Sequence, residues 1–408
     1  MVSRFPSGFI LLVALQVSLA HAQEDNRVDA GADGFSLRSA DGDWHLSLRG
    51  LLQVEGRYFT NDSASDDDNE WVLRRIRPTL EGQFGKRISF RIMPDFGLGD
   101  SQLIDAWIET RLNAGLTLRA GRFKPPVGLE RLQSASDLRI VERSLVTDLV
   151  PNRDIGVQLS GGGPRLNWAA GVFNGVDDGR SADQDDDGQP DFAFRLFSEP
   201  LEKDSDTTLG IGIGVTLGNT DGTAVTPLLS GYRSPGANTV FGYRSGTDGT
   251  FADGDRLRIS PQFYWYRGPV GLLGEWVRVR QDVRRVGSGF DRSGTLHHEA
   301  WQVTGEWYVT GHAAGYRDAG GSAGAVQLVA RLAELKIDQD SFIGGAVSFA
   351  DSTTAAGKAL TQAVGVNWFP VAGLKASLAL HHTTFIGGAP GGDRPDEDAI
   401  FLRLQHAF

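Results

Sequence analysis

The sequence predicts an all-β protein, a sixteen-stranded antiparallel transmembrane β-barrel with a third loop that folds into it. Three observations favour this class. Long segments alternate apolar and polar residues with a period of two, short and long connections alternate between them, and the chain ends on Phe408 of an alternating segment. A soluble β-sandwich or β-helix would also alternate, but it would not combine all three features.

The N-terminus has the pattern of an export signal. Arg4 is the only charged residue before the apolar run from Phe9 to Leu19, and Ala20-His21-Ala22 fits the small-x-small sequence that precedes a cleavage site. The apolar run is too short to cross a bilayer as a helix, which favours a cleaved signal over an uncleaved anchor. We therefore expect cleavage near Ala22.

The domain organisation follows from this signal and from the first long alternating segment. We expect a signal peptide over residues 1–22, a short periplasmic N-terminal segment over residues 23–43, and the barrel over residues 44–408. The chain has no cysteine and a formal net charge of −11, so we expect neither disulfides nor nucleic-acid binding. An exported barrel of this kind belongs in the outer membrane of a Gram-negative-type bacterium.

The segment from Trp44 to Tyr58 shows the alternation most clearly. Its apolar face is Trp44, Leu46, Leu48, Gly50, Leu52, Val54, Gly56 and Tyr58. Its other face is His45, Ser47, Arg49, Leu51, Gln53, Glu55 and Arg57. A tilted strand needs about 9–11 residues to cross the hydrocarbon core, so this segment is long enough. We expect the apolar face to contact lipid and the polar face to line the lumen.

The same pattern recurs through the chain. The sixteen expected strands are 44–58, 70–84, 87–97, 102–113, 115–123, 154–162, 165–175, 190–199, 208–218, 256–267, 269–284, 297–310, 324–338, 358–370, 373–385 and 398–408. Segment 341–350 is the first candidate for an additional strand. The expected long loops are 59–69, 124–153, 175–189, 219–255, 285–296 and 386–397. The connections on the other side are short, apart from 311–323.

Basic residues are concentrated in two stretches of this acidic chain, 70–93 and 115–125. A charged arginine that faced lipid at mid-bilayer would cost about 2–4 kcal/mol, so strand parity indicates which arginines face the lumen. The arginines with inward parity are Arg49, Arg57, Arg75, Arg77, Arg91 and Arg119. Arg74 has the opposite parity, and we expect it at the rim, near lipid phosphates.

A basic pore wall would concentrate anions, because a narrow channel with low-dielectric walls focuses the electric field. The guanidinium group also offers a planar fork of donors that matches phosphate oxygens. Alternatively, these arginines pair with lumenal acids such as Glu55, Glu81 and Glu109 and only stabilise the wall. The sequence leaves both interpretations open.

The segment 124–153 is unusually apolar for a loop. Its apolar residues include Pro125, Pro126, Val127, Leu129, Leu132, Leu138, Ile140, Val141, Leu145, Val146 and Leu149. A loop surrounded by water would not be this apolar, so we expect it to fold into the barrel and narrow the pore. There it would present Lys124, Arg131, Arg139, Arg143 and Arg153 to passing ions.

Three runs in this region resemble a known family. They are Arg119-Ala-Gly-Arg-Phe-Lys-Pro-Pro-Val-Gly-Leu-Glu-Arg-Leu-Gln133, Asp137-Leu-Arg-Ile-Val-Glu-Arg-Ser-Leu145 and Leu149-Val-Pro-Asn-Arg-Asp-Ile-Gly-Val-Gln-Leu-Ser160. Together with Asn367-Trp368 and Leu402-Arg-Leu-Gln405, they resemble the phosphate-selective porin O and P family over about residues 44–408. The resemblance implies a homotrimeric, sixteen-stranded porin whose third loop folds inward and whose arginines dehydrate and hold phosphate.

The resemblance also implies an anion-binding role for the matching loop and for the wall beside it. The implied constriction residues are Arg75, Arg77, Arg119, Arg122, Lys124, Arg131, Arg139 and Arg143. The phosphate channels of the family also use lysines to feed ions to the site, whereas this chain has six lysines in all. Either arginine takes over that role, or the pore is a less selective channel.

One acidic loop matches the beginning of a calcium-binding loop. Asp183, Asp185, Asp187 and Asp191 take positions 1, 3, 5 and 9, with glycine at position 6. Position 12 is Phe194, where such loops carry a glutamate. Ca²⁺ binding is one interpretation and a solvated acidic loop is the other; no other cofactor is expected.

The expected function is facilitated diffusion of small anions, phosphate or a related oxyanion, through an arginine-lined constriction. Outer-membrane lipid and lipopolysaccharide are the expected partners of the outer face. The rival functions are a weakly selective general porin and an outer-membrane barrel enzyme such as a phospholipase. The enzyme would need a serine and a histidine together on the lipid face, and no such pair stands out.

Overall fold

The barrel is closed and antiparallel, as predicted. The computed structural model describes residues 26–31, 34–60, 69–181, 184–185, 187–201, 206–317 and 322–408. Within these residues the barrel strands are β1 (Trp44–Phe59), β2 (Glu70–Phe84), β3 (Ile88–Asp95), β4 (Gln102–Asn113), β5 (Leu116–Phe123), β6 (Asp154–Gly162), β7 (Leu166–Phe173), β8 (Asp191–Ser198), β9 (Thr207–Asp221), β10 (Thr250–Arg267), β11 (Val270–Gly287), β12 (Phe290–Tyr308), β13 (Ala325–Lys336), β14 (Ala356–Phe369), β15 (Leu374–Ala389) and β16 (Glu397–Ala407). Each strand pairs with the next, and β16 pairs with β1, which closes the barrel.

The predicted strand bounds agree closely with these, with one clear error. The expected long loop 285–296 is wrong, because β11 and β12 continue to Gly287 and Phe290, which pair directly above a two-residue turn. Outside the membrane both faces of a hairpin meet water, so the apolar alternation that marks a spanning strand ends before the strand does. The candidate strand 341–350 is also wrong, since Gln339–Ser341 and Gly345–Val347 are 3₁₀ turns.

The N-terminal segment adds a hairpin to the barrel wall. Arg27–Gly31 pairs with Gly34–Arg38, and the second of these strands pairs with the first residues of β1. The hairpin therefore continues the sheet beyond the end of β16. The predicted signal peptide lies outside the described residues, and its cleavage near Ala22 stays a prediction.

The loop between β5 and β6, residues 124–153 and hereafter L3, folds into the barrel as predicted. It contains a short helix, Leu129–Leu132, and a 3₁₀ turn, Leu145–Leu149, and most of its side chains are buried. Val127, Leu145 and Val146 of L3 belong to an apolar cluster that also includes residues of the β9–β10 and β13–β14 loops. Burial of these side chains is favourable by about 25 cal/mol for each Å² of apolar surface removed from water.

No helix within the described residues is long and apolar enough to cross a membrane. One further 3₁₀ turn in the described residues, Gly97–Gly99, follows β3.

Charged side chains of the wall opposite β1–β5 bind backbone and side-chain groups of L3. Glu275 of β11 accepts hydrogen bonds from the N–H groups of Leu129 (2.6 Å) and Glu130 (2.9 Å). Arg331 of β13 donates to the Glu130 carboxylate at 2.6 Å. Lys375 of β15 donates to the carbonyl groups of Ser136 (2.9 Å) and Leu138 (3.0 Å). L3 is thus held against β11–β16.

The long connection between β12 and β13, for which the sequence offers no reason, supports L3 from the other end of the barrel. Tyr316 in this connection stacks on Tyr264 of β10 with 5.0 Å between ring centroids. Its hydroxyl group donates to the carbonyl of Leu129 at 2.7 Å, and the Gln133 side chain donates to the Tyr316 carbonyl at 3.0 Å. The connection is long because it folds inward.

The expectation for Arg74 is wrong because β2 contains a bulge. Gln53 pairs with Arg75 and Val54 pairs with Leu73, so Arg74 has no partner residue on β1. A bulge places one extra residue in a strand and changes the alternation beyond it. The Arg74 guanidinium therefore turns to L3, where it donates to both carboxylate oxygens of Glu142 at 2.9 and 3.2 Å.

The buried pair between Glu130 and Arg331 yields a prediction about stability. Arg331→Met leaves Glu130 as a buried carboxylate without its guanidinium partner, which typically costs about 3–5 kcal/mol. We expect the free energy of unfolding, measured by urea titration of the barrel in lipid vesicles, to fall by about that amount. The double variant Glu130→Gln/Arg331→Met should recover part of the loss, and an equal loss in both variants would contradict a role for the charges.

Candidate functional site

The open lumen lies between L3 and the wall formed by β1–β5. A cavity of about 620 Å³ occupies this space. The lining comes mainly from the wall, and L3 borders the cavity with Lys124, Leu132, Ser134, Ala135, Ser136 and Arg153. Because L3 is held against β11–β16, the space that remains at this level lies along β1–β5.

Cationic side chains outnumber acidic ones in this cavity. Among the described residues its cationic side chains are Arg49, Arg77, Arg91, Arg119, Lys124, Arg153 and Arg317. Its acidic side chains are Glu81 and Asp105. The whole chain carries −11, so positive charge is concentrated where ions can pass. A lumen with low-dielectric walls focuses such a potential and raises the local concentration of anions.

Strand alternation places these side chains on one surface. The inward orientation predicted for Arg49, Arg77, Arg91 and Arg119 is confirmed, since all four line the cavity. Their neighbours Leu48 and Ile92 face outward and are 46% and 45% exposed. Lipid contact on one face therefore determines which charges line the other.

Acidic neighbours hold several of these guanidinium groups without covering them. Arg119 donates to Glu109 at 2.6 Å, and the Arg91 Nε donates to Glu81 at 2.8 Å. Glu81 also lies 3.5 Å from Arg49. The side chains of Arg49, Arg91 and Arg119 nevertheless remain 49%, 37% and 30% exposed. These three arginines therefore pair with lumenal acids and also remain accessible to an anion in the lumen.

Three cations lie where L3 leaves and rejoins the wall. The Arg77 guanidinium pairs with an aspartate of β3 at 2.7 Å, and the Arg153 guanidinium pairs with an aspartate of β4 at 3.2 Å. The Lys124 ammonium donates to the L3 carbonyl of Gln133 at 2.7 Å. All three side chains line the cavity, so this part can exchange the hydration water of an oxyanion for charged donors.

Some lining residues were not expected from the sequence. Trp107 is one, although it shares the inward parity of Asp105 and Glu109 on β4 and could have been found by the same rule. Arg317, in the inward-folded connection after β12, is another. No periodic signal marks Arg317, because it does not lie within a strand. Arg153, the last residue of L3, was expected among the cations of the inward loop.

A model of the phosphate-selective porin O and P family matches residues 48–408. The chain belongs to this family of porins. It is therefore a channel protein rather than an enzyme, and the family and the barrel fold place it in the outer membrane of a Gram-negative bacterium. Porin O of Pseudomonas aeruginosa is 24% identical to this porin over 453 aligned residues, which cover both chains completely.

Solved structures resemble this porin in fold. The outer membrane channel DcaP of Acinetobacter baumannii is 11% identical, with a TM-score of 0.58 over 90% of this chain and 97% of that one. An anion-selective porin from Comamonas acidovorans is 13% identical, with a TM-score of 0.57 over 90% and 100%. The trimer form of OmpT from Vibrio cholerae is 9% identical, with a TM-score of 0.51 over 90% and 99%.

The predicted wall residues of the porin divide into two groups. Arg77, Arg119 and Lys124 line the cavity. Arg75 is buried and donates to the Gln53 side chain at 2.6 Å. Arg122 is also buried, next to Ala106 in the register of β4 and β5. The three lining residues can therefore contact an ion in the cavity, whereas the two buried arginines do not line it. An anion-binding role for all five wall residues stays a prediction.

The three predicted L3 arginines bind groups of the protein. Arg131 donates to the carbonyl of Thr147, and Arg143 donates to the carbonyl groups of Glu130 and Gln133. Arg139 pairs with a glutamate of β12 at 2.7 Å and is buried. These contacts hold the loop in shape, and direct anion binding by the three residues stays a prediction.

The candidate calcium loop is partly described. Asp185 accepts hydrogen bonds from the N–H groups of Asp187 and Gly188, and Asp191 accepts from Arg256 and Arg258 inside the barrel. The described residues contain no group of three or more histidine, aspartate or glutamate side chains placed to share a metal ion. Asp183 lies outside the described residues, so Ca²⁺ binding stays a prediction that no longer draws support from Asp191.

Burial and neighbouring cations change the titration of L3 side chains. Desolvation, together with the positive charges of Arg153 and Arg143, lowers the pKa of Lys124 well below that of an ordinary lysine. Burial raises the pKa of Asp148 to about 6, although its carboxylate accepts a hydrogen bond from the Arg233 N–H. Lys124 is therefore the cation of the pathway whose charge depends most on pH.

The lowered pKa of Lys124 predicts a pH-dependent selectivity. As the pH rises through this pKa, Lys124 loses its proton and the pathway loses one positive charge. The preference for chloride over potassium is measured as a reversal potential in a KCl gradient. As the pH is raised, we expect this preference to decrease already at pH values under about 10, where an ordinary lysine would still be charged. Lys124→Arg should remove this fall because arginine stays protonated; an unchanged pH profile in that variant would assign the effect to another group.

Proposed function

We propose that this porin passes small anions by facilitated diffusion, with phosphate or a related oxyanion as its substrate. The observation that carries the proposal is the excess of cationic over acidic side chains around the cavity between L3 and β1–β5. The phosphate selectivity in the family description and the anion selectivity of the Comamonas acidovorans porin support it.

The geometry supports transfer of the ion between several weak sites. Lys124, Arg77 and Arg153 surround the part of the cavity next to the ends of L3, and Arg119, Arg91 and Arg49 continue along the wall. Each guanidinium can replace hydration water with two parallel N–H donors. The neighbouring carboxylates reduce the net charge at each step, so that the ion can leave again, which conduction requires.

In this mechanism the L3 arginines act on the ion through the shape of the loop. Arg131 and Arg143 bind carbonyl groups of L3 itself, and Arg139 connects L3 to β12. These contacts keep Ser134, Ala135 and Ser136 at the border of the cavity. Loss of one of them would change the width of the passage more than its charge.

A weakly selective general porin is the second candidate. The observation that favours it is that Arg77, Arg91 and Arg119 already have carboxylate partners. A channel of this kind would conduct chloride with little preference and would not be blocked by phosphate. The two candidates therefore differ in a single measurement, the effect of phosphate on chloride current.

Arg77 provides the sharpest test of the phosphate proposal. We expect phosphate to block the chloride current of the wild-type porin in a planar bilayer in a saturable manner. Hydrogen bonds to charged groups contribute about 1.5–3 kcal/mol, so Arg77→Gln should raise the half-blocking concentration roughly tenfold or more. Arg278→Gln is the matched control, because Arg278 lies on the outer face of β11 and is 45% exposed. Wild-type current that phosphate leaves unchanged would favour the general porin.

We further propose that the porin forms a homotrimer through β1–β3. The outward residues of β1 are apolar from Trp44 to Tyr58, which exceeds the 9–11 residues or so that a tilted strand needs to cross the hydrocarbon core. On β16 the outward apolar run extends only from Ile400 to Leu404, between Asp398 and His406. The additional apolar surface of β1 needs a protein partner, and the trimer form of OmpT supports this stoichiometry.

Substitutions on the outer face test the assembly. Leu52 on β1 and Ile213 on β9 face outward with similar exposure, 41% and 38%. If β1 lies in a subunit interface, Leu52→Lys should convert trimers to monomers, whereas Ile213→Lys should leave trimers intact. Light scattering of the detergent-solubilised porin gives the mass of each variant. Trimers in both variants would place the interface elsewhere.

We also propose that lipopolysaccharide contacts the outer face of β10–β12. Beyond the outward Trp276 and Trp301, this face carries the exposed charges Arg278, Arg280 and Arg284 with their acidic partners. Tryptophan marks the boundary of the hydrocarbon core in such barrels, so these charges lie at the level of the lipid head groups.

A further inference from the structure

One tryptophan of this barrel faces the lumen. The chain has nine tryptophans, all within the described residues, and Trp107 is the one that lines the cavity between L3 and the wall. Others lie on the outer face, where Trp44, Trp71 and Trp368 are more than half exposed. Aromatic belts at the membrane boundary account for outward tryptophans, but they do not account for Trp107.

The indole ring of Trp107 lies among the arginines of the pathway. The Arg119 guanidinium carbon is 4.3 Å from the ring centroid, and that of Arg91 is 5.6 Å away. Because β4 lies between β3 and β5, the two arginines approach the ring from the two neighbouring strands. The ring also lines the cavity, so it offers an apolar surface close to two charged donors.

The space beside this ring is larger than a single inorganic ion needs. The cavity of about 620 Å³ is followed by a second one of about 270 Å³, lined by His45, Ser47 and Gln83 near the start of β1. Arg49, Arg91 and Trp107 border both cavities. The volume of the first cavity is in the range of roughly 300–1,000 Å³ that is typical of sites for organic ligands, and the second cavity extends it.

We propose that this part of the pathway binds phosphate monoesters that carry a planar aromatic group. The phosphate is held by Arg49 and Arg91, and the organic group packs against the Trp107 ring. The inference rests on the proposed oxyanion pathway and adds a substrate class to it. Stacking on an aromatic ring is the interaction that distinguishes an aromatic ester from an ester of the same charge with a small alkyl group.

The experiment compares three probes of similar charge: inorganic phosphate, methyl phosphate and phenyl phosphate. Each is titrated against the chloride current of the complete porin in a planar bilayer. An aromatic pair contributes about 0.5–1.5 kcal/mol, so phenyl phosphate should block wild-type porin at a concentration about two- to twelvefold lower than methyl phosphate. Trp107→Leu should abolish this difference, while inorganic phosphate still blocks the current. Trp276→Leu, on the outer face, should keep the difference.

The outcomes separate this inference from the proposed function. Equal block by phenyl and methyl phosphate in the wild type, or a difference that persists in Trp107→Leu, overturns the aromatic site while block by inorganic phosphate still supports the oxyanion pathway. Absence of block by all three probes overturns the pathway itself, and the aromatic site with it. Block by inorganic phosphate in Trp107→Leu shows that the variant is folded, so that a lost preference for phenyl phosphate reports on the ring.

Discussion

The attachment of L3 to one side of the barrel is the interaction on which the pathway depends. L3 has backbone carbonyl and N–H groups that leave water when the loop enters the lumen, and buried groups of this kind need partners. Glu275, Arg331 and Lys375 supply them from β11, β13 and β15, with Arg331 donating to the Glu142 carbonyl. The same contacts that make the loop stable inside the barrel also occupy the cations and acids of that wall. The wall of β1–β5 is left to define the electrostatic character of the passage.

Along that wall, attraction and release of anions are balanced by pairs of charges. Each guanidinium of Arg91 and Arg119 has a glutamate on the neighbouring strand, which orients it and lowers the net charge that an anion meets. A row of unpaired arginines would attract anions more strongly, but it would also retain them and repel itself. Pairing and ion conduction are therefore compatible, provided that the side chains stay partly exposed, as they do here.

Departures from a regular barrel shape the passage further. The bulge at Arg74 brings a second arginine inward next to Arg75, and Glu142 of L3 binds it. The connection after β12 folds inward, places Tyr316 under the helix of L3 and adds Arg317 to the lining. The bulge and the connection both link L3 to parts of the chain that are distant in sequence. They make the position of the loop a property of the whole barrel.

The sequence by itself determined the barrel, its sixteen strands, the inward entry of L3 and the basic face of β1–β5. It could do so because a spanning strand has two faces, and the cost of a charge in lipid assigns each residue to one of them; Trp107 follows the same rule. Only the tertiary structure decided that Arg74 turns inward, that Arg131, Arg139 and Arg143 bind the loop and its surroundings, and that Arg317 reaches the cavity. These positions depend on a bulge or on loops without a repeating pattern, where contacts between distant residues, and no local periodicity, set the direction of a side chain.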